Sequence, residues 1–280
     1  ILSNDQSSSL LREGILMASL TFIDFFSIDL QRKIAAMAAN MCRKIPQNLF
    51  SNVECAIPNI TFFLQSADPR IIESGCKCFQ RIVSCFPNDS NKIDLICSSN
   101  MLDNCLALLS STTTNKATLS SALHLLAVAS HGSFAVFKQL HEKGVAIMLS
   151  TMLGHGNDES DENASRTVRE HLSEILHLLL ELLPSRDEKS KFITEMSAAN
   201  RKSLFQIMAT PQQYLKDVIV TSEETNEQKK RMFVENPQLL ISFGECMLPV
   251  LIEMFRSTHA EVVANRCLTV VGTVLHFSSA

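Results

Sequence analysis

The chain has 280 residues, 25 basic against 29 acidic side chains for a net charge of −4, 46% hydrophobic residues and no tryptophan. Its Lys and Arg are scattered rather than clustered, so no basic field exists to hold a phosphate backbone and no nucleic-acid partner is expected. Apolar runs stop well short of the ~20 residues a membrane span needs, so no membrane partner is expected either, and glycine far below its ordinary share of ~7% favours helices over turn-rich sheets.

In chain order, residues 1–11 show no charged segment followed by an apolar one, and a start without Met suggests a piece cut from a longer protein. Apolar spacing then predicts helices over 11–25, 29–44, 48–65, 69–85, 91–109 and 116–129, and a pair within 134–153. In the second of these, Ile34, Met37, Ala38, Met41 and Ile45 recur at threes and fours; in the fourth, Ile72, Cys76, Phe79 and Val83 do so. The longest stripe is Val168, Leu172, Ile175, Leu176, Leu179, Leu180 and Leu183, broad enough to require neighbours on both sides. Two polar stretches interrupt the pattern. Residues 154–165 carry Asp158, Glu159, Asp161 and Glu162 and read as a flexible loop, while 211–236 lacks an apolar stripe across 221–232 and reads as a solvated helix or a loose insertion. The eight prolines fall mainly at segment edges, as residues that break helices except in their first turn.

An internal repeat organises these segments. Ile57-Pro58-Asn59-Ile60 opens a helix with Cys76 eighteen residues after the proline, and Leu248-Pro249-Val250-Leu251 does so with Cys267 eighteen after Pro249, both pairs being 191 apart. With about 26 inserted residues removed, that offset divides into four periods of roughly 41, inside the armadillo and HEAT range of ~40–47. Aligning 29–45 on 69–85 sets Ala36 on Cys76, Ala38 on Cys78 and Asn40 on Gln80: two small positions for close packing, then a polar one of the kind armadillo grooves present. The expected fold is all-α, a right-handed α-solenoid of armadillo repeats forming a single domain over 1–280, with flexible breaks near 154–165 and 211–236. Such stacks offer extended binding surfaces, and the candidate protein-binding face is Asn40, Arg43, Gln80, Arg81 and His124.

The two ends carry a likeness to a known family. Phe22-Ile-Asp-Phe-Phe-Ser27, Gln31-Arg32 and Ala38-Ala39-Asn40-x-Cys42-Arg43 resemble the armadillo region of the ubiquitin-fusion-degradation class of HECT-type E3 ubiquitin ligases. So do Asn236-Pro-Gln-Leu-Leu240, Phe243-Gly244, Leu248-Pro-Val-Leu-Ile252, Arg266-Cys-Leu268 and Phe277-Ser-Ser-Ala280. The resemblance implies a non-catalytic module that holds protein substrates, with ubiquitin or its chains as further candidate ligands. The family's catalytic thiol, and its contact with the E2 enzyme, belong to a HECT domain that nothing in this sequence resembles. The rival reading is a freestanding armadillo adaptor or an import-receptor-like peptide binder. The latter is disfavoured because no tryptophan exists to clamp lysine stems and Asn40 recurs as Gln80.

No enzymatic chemistry is expected of the chain itself, and no cofactor or metal. Nucleophile elbows and glycine-rich phosphate loops are missing. Cys42, Cys76, Cys78 and Cys267 sit in apolar patterns as packing residues, and nine thiols used this way suit a reducing cytoplasm or nucleus. His171, Glu174 and His177 suggest a metal, but six residues set the two imidazoles about 120° apart around a helix, so these two cannot converge on one ion. They are read as solvated or groove residues.

Overall fold

The computed structural model describes residues 4–87, 89–154, 162–185, 212–258 and 260–278. Their α-helices are α1 Asn4–Arg12, α2 Ile15–Thr21, α3 Ile28–Met41, α4 Phe50–Glu54, α5 Ile57–Phe63, α6 Pro69–Cys85, α7 Ser90–Ile96 and α8 Ser99–Ser110. They continue with α9 Lys116–Gly132, α10 Phe134–Glu142, α11 Val145–Gly154, α12 Glu162–Glu181, α13 Gln212–Glu235, α14 Pro237–Ser257 and α15 Glu261–Ser278.

These helices group in threes, and each triad stacks on the next. The third helices form one ladder in which α3 packs on α6, α6 on α9, α9 on α12 and α12 on α15. The second helices form another, from α2 through α5, α8 and α11 to α14. Among the described residues this makes five stacked triads, an armadillo-type α-solenoid whose buried side chains run as one apolar core from Leu11 to Val274. The two prolines lie in second helices and the two cysteines in third helices, but only Pro58 opens its helix: Pro249 lies in the interior of α14, twelve residues after its start at Pro237.

Two details of the repeat differ from expectation. The third helices begin at Ile28, Pro69, Lys116, Glu162 and Glu261, so the steps are 41, 47, 46 and 99 residues. The 191-residue offset therefore spans three repeats rather than four, and the excess lies between α12 and α15. The helix starts also put α3 and α6 in register at 41 rather than 40, pairing Ala35 with Cys76 and Asn40 with Arg81; Ala36 is exposed and cannot match the buried Cys76.

The segments expected at 48–65 and 91–109 each divide into two helices, because their turns at Cys55-Ala56 and Cys97-Ser98 use no glycine and carry weak sequence signals. The turns after α1 and α10 are instead made by Gly14 and Gly144 in the left-handed region (φ 73° and 69°), where a side chain would be strained. The expected break at 211–236 is helical over Gln212–Glu235. Its described buried positions, Thr225, Lys229 and Phe233, recur every four residues, and two of the three are polar, so no apolar stripe announced them. Residues 155–161 of the other expected break lie outside the described residues.

By length and composition α14 is apolar enough to cross a membrane. In the stack it lies between α11 and α15 with Leu240, Phe243, Met247, Leu251 and Met254 buried on one face, while Ile241, Ile252 and Phe255 remain exposed.

Two third helices, α6 and α9, start from side-chain caps, Asp68 and Asn115, whereas Ser27 before α3 makes no capping hydrogen bond. Asp68 precedes Pro69, and its carboxylate accepts from the backbone N–H of Arg70 (3.0 Å) and Ile71 (3.3 Å), while Arg32 Nε on α3 donates to it at 2.9 Å. The Arg32 hydrogen bond outweighs the cost of burial and, with the backbone donors, holds this carboxyl below its usual range. One residue thus starts α6 and ties it to the preceding repeat. Asp68→Ala should cost about 1 kcal/mol through the lost cap, with the Arg32 bridge lost in addition. The shift of the urea midpoint measures it, and Asp68→Asn, which keeps a cap, should recover most of the loss.

Candidate functional site

The ladder of third helices forms one wall of the stack, where polar side chains stand beside exposed apolar ones such as Leu30, Leu268 and Leu275, and four of the five residues expected on a binding face lie within its helices. Asn40 on α3 and Arg81 on α6 meet: Arg81 Nη1 donates to the Ala39 carbonyl and lies 3.5 Å from Asn40 Oδ1. Gln80 Nε2 donates to the Ser121 carbonyl on α9 at 2.9 Å. These three groups therefore stitch neighbouring repeats together while remaining partly exposed. Arg43, just past the end of α3, is exposed, as is Lys77 on α6. His124 on α9 stands apart from these and pairs with α12.

That pairing is part of a histidine–carboxylate ladder between α9 and α12. His124 Nδ1 is 3.1 Å from Glu174 Oε2, and His177 Nδ1 is 3.7 Å from the same oxygen. One repeat-turn along, His131 Nδ1 is 3.0 Å from Glu181 Oε2, and His177 Nε2 is 3.9 Å from Glu181 Oε1. The buried Lys229 of α13 reaches in as well, donating from Nζ to the Glu181 carbonyl at 2.7 Å and lying 3.8 Å from its carboxylate. His171 does not join: its Nδ1 is 3.3 Å from Ser120 Oγ.

Electrostatics follow from this placement. Burial alone would raise the Glu174 carboxyl, but hydrogen bonds and charge from His124 and His177 outweigh it and hold it down at about 2. Burial opposes ionisation of Glu181 too, and His131, Lys229 and His177 bring it to about 2. His131 is raised in return by the Glu181 charge and hydrogen bond. Burial, then the Lys116 charge, push His171 down to about 4.

The four cysteines assigned to packing are fully buried. Burial, then the Glu73 charge, push the Cys76 thiol up to about 12, and burial pushes Cys267 to about 11, so both remain protonated and poorly nucleophilic at neutral pH.

Sequence reasoning named His124, Glu174 and His177 but did not bring them together, setting the last two beside His171, and it missed Glu181, His131 and Lys229. A signal existed. His124 and His131 are seven apart, as are Glu174 and Glu181, and a seven-residue step returns to the same helix face within ~20°. Two such pairs on helices 50 residues apart make a cross-helix ladder that inspection of either helix alone does not reveal.

Fold and wall together define an armadillo-repeat protein. A designed armadillo repeat protein solved in complex with the peptide (KR)4 superposes with a TM-score of 0.51 at 15% identity, over 94% of this chain and 99% of that one. No protein-family model matches the chain. Over nearly its whole length, however, the chain is similar to E3 ubiquitin-protein ligases. It is 29% identical to UPL3 of Arabidopsis thaliana across 99% of its residues, and 25% identical to TRIP12 of Danio rerio across its full length. The likeness read from the two ends of the sequence therefore extends through the middle. The chain spans only 15% of the length of UPL3 and 16% of TRIP12.

Proposed function

We propose that this chain is the non-catalytic recognition segment of a HECT-type E3 ubiquitin ligase of the ubiquitin-fusion-degradation class, holding a protein substrate or its attached ubiquitin. The observation that carries this reading is the similarity to E3 ligases over 99% of the chain, joined to a solenoid fold whose third helices line one extended wall. Holding a substrate on that wall raises its effective concentration near a thiol carried elsewhere in the ligase, and needs no chemistry from the wall itself. The catalytic domain and the E2 contact are assigned to other parts of the ligase, and residence in cytoplasm or nucleus follows the use of thiols as packing groups. That a fold of this kind can hold a peptide is supported by the complex of the designed armadillo repeat protein with (KR)4.

The test must separate binding from folding. Arg81 and Gln80 are poor choices because they also join repeats, whereas Arg43 and Lys77 are exposed. Arg43→Glu/Lys77→Glu should weaken binding of ubiquitylated substrate about tenfold in a titration, roughly 1.4 kcal/mol, with an unchanged circular-dichroism spectrum. Unaltered affinity in that variant removes this part of the wall from the binding face, and absence of binding to mono-ubiquitin, ubiquitin chains and ubiquitylated substrate alike defeats the recognition reading.

A further inference from the structure

We infer that His124, Glu174 and His177 form a binding site for a divalent transition-metal ion, with zinc the best fit. The three offer ligand atoms that all lie within 4.8 Å of one another, and each side chain is about a third to a half exposed, hence reachable by an ion from solution. Two imidazoles and a carboxylate are a ligand set that zinc accepts, in sites where three protein ligands leave a fourth position open.

The geometry lies close to what such an ion requires. With bonds of about 2.0–2.1 Å, tetrahedral zinc keeps its ligand atoms roughly 3.3 Å apart. His124 Nδ1 and His177 Nδ1 stand 3.1 and 3.7 Å from Glu174 Oε2, so the second of these edges and the edge between the two imidazoles, which the cluster holds within 4.8 Å, must contract by rotation of half-exposed side chains. Glu174 and His177 are three residues apart, which places them on one face of α12, and His124 closes the triangle from α9. This is why His171 fails and His177 succeeds: the third ligand comes from the neighbouring repeat rather than from the same helix.

An outer partner is also present. With Nδ1 as its ligand atom, His177 turns Nε2 towards Glu181 Oε1, 3.9 Å away. At that distance the carboxylate is not hydrogen-bonded to the ring; it places negative charge behind the ligating histidine, where a small rotation on metal binding would make it the second partner that metal-bound histidines commonly have. The remaining position is left to water or to a side chain of a bound protein. Because the ion would join α9 to α12, binding should also stabilise the stack by mass action.

Zinc titrated into metal-stripped, reduced protein against a chromophoric chelator tests the site and needs no protein partner, so its outcome is independent of the recognition reading. One equivalent should bind in the micromolar range or tighter. His124→Ala, His177→Ala and Glu174→Gln should each weaken it at least tenfold, while His171→Gln leaves it unchanged. Cobalt bound at the same site should show d–d absorption without a thiolate charge-transfer band. Failure to bind zinc overturns the inference, as does equal affinity in His124→Ala/His177→Ala, since the cysteines would then be the ligands.

Discussion

Glu181→Ala is expected to destabilise the protein by about 3 kcal/mol, the lower end of the cost of breaking a buried ion pair from one side. The Glu181 side chain retains 18% of its exposure, but Lys229 retains only 5%. Lys229 Nζ lies 4.8 Å over the Phe137 ring, so without the carboxylate its charge faces apolar surroundings and one backbone carbonyl. His131 loses its partner as well. Burial already lowers the Lys229 pKa against the pull of Glu181, and removing that pull lowers it further. A folded pKa depressed below the unfolded value means that the unfolded chain binds more protons, so stability of the variant should rise with pH towards the lysine range. Glu181→Met/Lys229→Met, which removes both charges, should be more stable than Glu181→Ala despite carrying two changes. Urea midpoints at neutral pH measure all three proteins, and hydrogen exchange should show the loss concentrated in α13, which Lys229 anchors to α12. A Glu181→Ala midpoint indistinguishable from the parent's would mean that water, not Glu181, compensates Lys229.

The same pair shows what sequence can and cannot disclose. Wherever a repeat is held by apolar contacts, its periodicity is visible: Ile72, Cys76, Phe79 and Val83 in α6, and Leu172, Ile175, Leu176 and Leu179 in α12, are buried as the spacing requires. Pro58 with Cys76 and Pro249 with Cys267 located equivalent helices across most of the chain. The helix α13 escaped because Thr225 and Lys229 supply its buried face, and a buried lysine is legible only once its carboxylate is known. Asn40, Gln80 and Arg81 fall on third helices, but their contacts join residues 41 or 42 apart, and no local pattern encodes a lateral partner. His124 was singled out by its register alone; its partner Glu174 required the neighbouring helix to be in place.

Acid sensitivity provides the second large effect, and its sign follows from two histidines held neutral. His171 is kept at about 4 by burial and by Lys116, with Glu174 opposing. Burial, then Lys229, depress His141, although its Nε2 donates to the Leu182 carbonyl at 2.9 Å and rings of Phe137, Phe233 and Phe243 surround it. Both folded values lie below the unfolded value of ~6.5, so the unfolded chain binds more protons as pH falls through that point and stability declines with it. For His171 alone the loss between pH 6.5 and pH 5 is about 1.5 kcal/mol, and His141 adds to it in the same direction. Glu174 and Glu181 act lower: each is depressed to about 2 from an unfolded value near 4.5, so their contribution is intact above that range and is lost only as pH falls further. His131, raised by Glu181, has the opposite sense; its contribution is complete below about 6.5 and is lost as pH rises through its folded value. The stability profile should therefore peak near neutrality, with an acid limb set by histidines before any carboxylate titrates. His171→Gln, which can still bond Ser120, should flatten that limb by about 1.5 kcal/mol between pH 6.5 and 5 in urea unfolding, and leave the alkaline side unchanged. A limb of undiminished slope in that variant would assign the acid loss to His141 and the rest of the chain, and would mean that His171 is hydrated in the folded state.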